Sequence, residues 1–119
     1  MKNKDFSNRC DCCLQYHITF YVKDEFDIKG EGIEELMLEI LQNISRENKY
    51  EIEDIEISSK YVSFLVEANP TVAPIDIVRT IKSFSTIELL RRDSSLKKFY
   101  SVNGSFWKEG YRVATVEYK

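Results

Sequence analysis

The order in which the hydrophobic period changes along the chain predicts an α+β domain of ferredoxin-like plan, βαββαβ: a four-stranded antiparallel sheet with two helices on one face. Three observations carry that prediction. Two segments repeat apolar residues every three or four positions, others alternate them every second position, and two alternating segments are separated only by "SSK". At 119 residues the chain has the length of one domain, 1–119, large enough to bury a single core.

The first alternating segment, "CLQYHITFYV" (13–22), is rich in β-branched and aromatic residues and reads as a strand. His17 lies inside it, where an imidazole more commonly packs in a core or a dimer face than binds a metal. After a charged turn, "IEELMLEILQNISREN" (33–48) spaces Ile33, Leu36, Met37, Ile40, Leu41 and Ile44 as one stripe of an amphipathic helix. "KYEIEDIEISS" alternates Tyr50 and Ile52, then Ile55 and Ile57, which requires a one-residue slip at Glu53–Asp54. "KYVSFLVEA" follows through the short turn as the partner strand of a hairpin, Val62, Phe64 and Val66 on one face and Tyr61, Ser63 and Leu65 on the other. "NPTVAP" breaks the pattern, and Pro74 stands where a helix can begin. The second helix, "IDIVRTIKSFSTIELLRRD" (75–93), turns Ile77, Val78, Ile81, Phe84 and Leu89 or Leu90 inward. "SSLKKFY" is a short connection, and the alternation of Tyr111, Val113, Thr115 and Glu117 with Arg112, Ala114, Val116 and Tyr118 makes a closing strand.

Composition narrows the class of function. A hydrophobic fraction of 43% with 13% aromatics suits a folded chain. No apolar run approaches the roughly 20 residues of a membrane helix, and no apolar segment follows the charged N-terminus, so no membrane and a cytoplasmic location are expected. Residues 1–12 read as a flexible tail. Cys10, Cys12 and Cys13, at and just after its end, are expected as reduced thiols; with His17 they have zinc-type donors, but without the second ligand pair that a structural site requires. Charge is polarised: residues 1–69 hold 8 Lys/Arg against 15 Asp/Glu, residues 70–119 hold 9 against 5. A basic face, if one forms, belongs to the C-terminal half.

In this order, four phrases resemble the small single-tyrosine transposases of the HUH class, the IS200-like superfamily that moves insertion sequences as single-stranded DNA. "YHITF" (16–20) is similar to that family's first strand, "SSKYVSFLVEANP" (58–70) to its metal-binding strand and the turn after it, "IDIVRTIKSFSTIELLRR" (75–92), with Lys82 and Ser85, to the helix that follows, and "FWKEGYRVATVE" (106–117) to its closing strand. The resemblance implies a transposase-like DNA-binding role in DNA transposition. It also implies a homodimer joined through sheet edges and recognition of single-stranded or hairpin DNA.

The same resemblance implies two losses. The family places two histidines, two residues apart, on one face of its metal-binding strand to hold Mg or Mn; here those positions are Tyr61 and Ser63. A phenol and a hydroxyl are poor substitutes for two imidazoles, so no metal and no cofactor are expected. The family's nucleophilic tyrosine belongs to a helix after the closing strand, for which this sequence supplies no residues, and Tyr118 has nothing nearby to activate it. The expectation is a catalytically inactive relative, not an enzyme. Nucleic-acid contacts are expected from Arg79, Lys82, Ser85, Arg91, Arg92, Lys97, Lys98, Trp107 and Arg112, with Tyr111 as a further stacking surface. The alternative is a homodimeric protein–protein interaction or scaffold module that has lost DNA binding.

Overall fold

A computed structural model describes residues 14–24, 26–29, 32–48 and 50–116 of the chain. Cys10, Cys12, Cys13 and Tyr118 lie outside these residues. The elements run β1 (Leu14–Tyr21), α1 (Ile33–Glu47), β2 (Tyr50–Ile57), β3 (Tyr61–Ala68), α2 (Pro74–Arg92), α3 (Leu96–Asn103) and β4 (Arg112–Val116). The sheet order is β2-β3-β1-β4 with every neighbouring pair antiparallel, which is the ferredoxin-like plan.

Alternation decides which side of the sheet meets the helices. Ile18 and Phe20 on β1 and Val62, Phe64, Val66 and Ala68 on β3 are wholly inaccessible. They pack against Met37, Ile40, Leu41 and Ile44 of α1 and Ile77, Val78, Ile81 and Leu89 of α2. Phe20 is the hinge of this core, meeting Phe64 edge-on at 6.3 Å and Trp107 at 5.1 Å between ring centroids. The opposite side of the sheet carries no helix among the described residues, and the polar halves of the strands point there.

The slip inferred in β2 is a β-bulge. Glu53 pairs with Leu65 and Glu56 with Ser63, so Asp54 and Ile55 together oppose Phe64. Asp54 takes the left-handed backbone with φ 53°, a conformation that aspartate tolerates better than most residues.

Three features differ from the sequence reading. A third helix, α3, occupies the stretch expected to be a short connection. Ser95 donates from its amide and hydroxyl to Asp93 just ahead of it, and Gly104 closes it with φ 78°. Its Phe99 stacks on Phe106, which in turn meets Phe26 at 4.7 Å. This aromatic cluster, assembled from distant segments, holds a helix too short to be stable alone. Ser85, expected at a nucleic-acid surface, is fully buried and donates to the backbone oxygen of Lys82; it takes the inward position expected of Phe84, which is only partly buried. Trp107, expected to stack on bases, is 3% exposed and packs on Phe20. A base cannot reach a ring so enclosed, and Ser85 and Trp107 are therefore core residues.

Candidate nucleic-acid interface

Positions 61 and 63, where the resemblance implies a metal-holding pair, lie on the open face of the sheet. Because Ile18 and Phe20 point into the core, His17, Thr19 and Tyr21 point away from it. Strand register then aligns their neighbours: Tyr21 faces Tyr61, Thr19 lies between Ser63 and Arg112, and His17 lies between Leu65 and Ala114. On the far side of β3, Glu56 faces Ser63.

The polar atoms at positions 61 and 63 are already engaged. The Tyr61 hydroxyl donates to Glu56 Oε2 at 3.0 Å, and its ring meets Tyr21 edge-on at 6.3 Å. This hydrogen bond and the charge of Glu56 both raise the phenol above its ordinary value. Tyr61 is thus held protonated, the opposite of what an attacking phenolate requires. Ser63 is only 4% exposed, although its strand-face neighbours reach solvent. Its Oγ lies 2.9 Å from His17 Nε2 and 3.4 Å from the Thr19 hydroxyl. Nothing local in the chain points to this Ser–His contact, because 46 residues separate the partners and only the β1–β3 register joins them.

Magnesium and manganese do not fit this arrangement. Both ions favour oxygen or nitrogen donors with free lone pairs converging on one point. Here one phenol is turned to a carboxylate and the hydroxyl is committed to an imidazole. Oxygen donors of the right type occur elsewhere on the open face: Glu51, Glu53 and Glu67 bring carboxylate oxygens within 4.8 Å of one another.

The expected cationic residues do not converge into one patch. Arg79 lies on α2 beside Asp76 at 3.9 Å. Arg91 pairs with Glu88 at 2.9 Å, and Arg92 reaches both Glu88 and Glu39. Lys82 is a fastener: its Nζ donates to the backbone oxygens of Lys108 and Gly110 at 2.9 and 3.0 Å, above the Phe20 ring. Burial lowers its pKa from the usual lysine value, partly countered by Glu109. Lys97 and Lys98 are exposed on α3 and have no ion pair among the described residues. Arg112 alone belongs to the open sheet face. Tyr111, half-buried, packs against the edge of the core.

The chain matches the family described as "Transposase IS200 like" over residues 11–119. No curated protein matches the sequence. The fold is similar to a crystal structure described as a transposase from Deinococcus radiodurans R1, with a TM-score of 0.79 and 25% sequence identity, covering 98% of this chain and 87% of that one.

Proposed function

Because the chain belongs to the IS200-like transposase family, we propose that it is a cytoplasmic DNA-binding protein of a mobile element, one that holds single-stranded or hairpin DNA without cutting it. The observation that supports this most is the chemistry at positions 61 and 63. Relatives implied by the sequence resemblance need a metal-holding pair there, and this chain has a phenol kept protonated by Glu56 and a nearly inaccessible hydroxyl bound to His17. Neither activates a nucleophile or polarises a phosphodiester.

Binding needs none of that machinery. It needs cations for phosphates, and Lys97, Lys98, Arg79 and Arg112 have exposed side chains for the purpose. Arg91 and Arg92 contribute less, because carboxylates on α1 and α2 already neutralise them. The test is incubation of the purified protein with a hairpin oligonucleotide and Mn²⁺. A salt-sensitive complex with no covalent protein–DNA adduct is expected. An adduct would restore the enzyme, and failure to bind at low salt would end the DNA reading.

One observation favours a second reading, a homodimeric interaction module. β4 is an edge strand with four of its five residues exposed, and Val113 remains 43% exposed although its row in the sheet leads to fully buried Ile18. An accessible strand edge beside uncovered apolar surface is suited to pairing across a two-fold axis. Replacing Lys97 and Lys98 by glutamate separates the two: it should abolish DNA retention under the first reading and leave the oligomeric state unchanged under both.

A further inference from the structure

We propose that β4 is a strap that opens independently of the rest of the fold, pivoting at Gly110 and latched to α2 by the Lys82 ammonium. This holds under either of the two readings above, because it concerns how the closing strand is fastened and not what it meets.

The two edge strands of the sheet are secured differently. β2 has eight residues, and Tyr50 and Ile57 at its ends are buried in the core. β4 has five residues, none of them buried, and it pairs only with β1. Val113 and Thr115 lie on the helix side of the sheet, in register with Ile18 and Tyr16, yet both stay exposed. Strand hydrogen bonds with so little apolar burial behind them break in local openings that cost far less than global unfolding.

The segment leading into β4 changes character at Lys108. Up to that point it is fixed: Phe106 and Trp107 are buried, the Phe106 carbonyl accepts from the Lys23 amide, and the Lys108 amide donates to the Tyr21 carbonyl. Beyond it, Gly110 takes φ 87°, a left-handed conformation that glycine adopts without steric cost. A pivot therefore stands between a buried anchor and an exposed strand.

Lys82 closes that pivot. Its Nζ donates to the backbone oxygens of Lys108 and Gly110, one on each side of Glu109. An ammonium only donates and a carbonyl only accepts, so the atom types alone fix the direction of both bonds. The lysine rises from a part of α2 held in place by fully buried Ile81 and Ser85. The Glu109 carboxylate adds a favourable charge to the same contact. Among the described residues no other hydrogen bond or ion pair joins α2 to residues 108–116. The outer edge of β4, on which the interaction-module reading depends, is thus presented only while this latch is shut.

Hydrogen exchange of the full chain, followed by NMR across urea concentrations below the unfolding transition, tests this. The β4 amides bonded to β1 should exchange through an easy opening that urea scarcely promotes, whereas β3 amides should wait for global unfolding. Lys82→Met keeps the stem and removes the ammonium, so opening no longer breaks two charged hydrogen bonds. It should speed exchange of those β4 amides about tenfold or more. Fraying at the C-terminal turn of α1 leaves the latch intact, and exchange there should not change. Gly110→Ala acts on separate atoms: nothing lies within 4 Å of the added methyl, so it strains only the pivot. It should speed the same β4 amides about fivefold or more. β4 amides as protected and as urea-sensitive as those of β3 would overturn the independent strap. β4 exchange that Lys82→Met leaves unchanged, or speeds no more than the fraying end of α1, would overturn the latch. If Lys82→Met does not fold, Gly110→Ala decides alone, and unchanged β4 exchange in it overturns the proposal.

Discussion

β3 lends its two faces to opposite purposes. Inward, Val62, Phe64, Val66 and Ala68 are all inaccessible, and their value lies in shape and volume. Outward, Tyr61, Ser63, Leu65 and Glu67 meet a surface that no helix covers among the described residues, and their value lies in which atoms they present. Packing constrains the first set tightly. The second can change chemical character while the backbone stays in place, so a member of this family can keep the fold at a TM-score of 0.79 to a crystallised neighbour while positions 61 and 63, where the sequence resemblance implies a metal-holding pair, carry a phenol and a hydroxyl.

The strongest way to break that contrast is Phe64→Ala. The ring is fully buried against Phe20, and its loss should cost about 3–5 kcal/mol in urea denaturation; a much smaller cost would mean the inner face is not the stabilising one. The most direct way to sharpen it is Tyr61→His combined with Ser63→His. The enclosed position 63 should make the larger ring cost about 1–3 kcal/mol, yet the fold should survive and the variant should bind Mn²⁺, read as paramagnetic broadening of the new ring signals. Asp54→Val places a β-branched residue at φ 53° and should cost about 1–2 kcal/mol, measured the same way.

Smaller effects follow from titration. The Tyr50 hydroxyl is buried, and desolvation raises its pKa above the usual 10.0, opposed by a weaker influence from Thr80. The folded state then holds this proton more firmly than the unfolded state. The stability tied to it is complete below pH 10 and declines as pH rises through the folded pKa. Tyr50→Phe should therefore show a shallower loss of urea midpoint above pH 10 than the parent. Tyr61→Phe removes only a solvent-side hydroxyl from a half-buried residue and should leave the midpoint unchanged; a large shift would show that the outer face also holds the fold together.

Much of the inner face could be read from the chain itself. The stripe of α1, the hairpin through "SSK" and the slip in β2 are local periodicities, and local periodicity survives without knowledge of the fold. α3 could not be read in this way, because Phe99 needs Phe26 and Phe106 beside it before eight residues of mixed propensity become helical. Ser85 was misplaced for a related reason: its hydroxyl satisfies itself on the preceding turn, which lets a polar residue occupy a buried position. The tyrosine and serine of the outer face were legible as a substitution. The partners of Ser63 were not, since they depend on the register of two strands that are distant in sequence. A hint did exist in "YHITF": His17 and Thr19 alternate with Ile18 and Phe20, so they must share the face opposite to the core.

The bulge in β2 has a consequence for which changes this hairpin can survive. Ile52 lies opposite Val66 and Ile57 opposite Val62, both facing the helices, yet they stand an odd number of positions apart, which an unbroken strand would resolve by turning one of them to water. The supernumerary residue resets the phase. Excising Asp54 should therefore turn the bulge into a regular strand with both ends still in phase, whereas a residue inserted into the middle of β3 should act as a frameshift in three dimensions, and one added between Ser58 and Lys60 should pass with little effect.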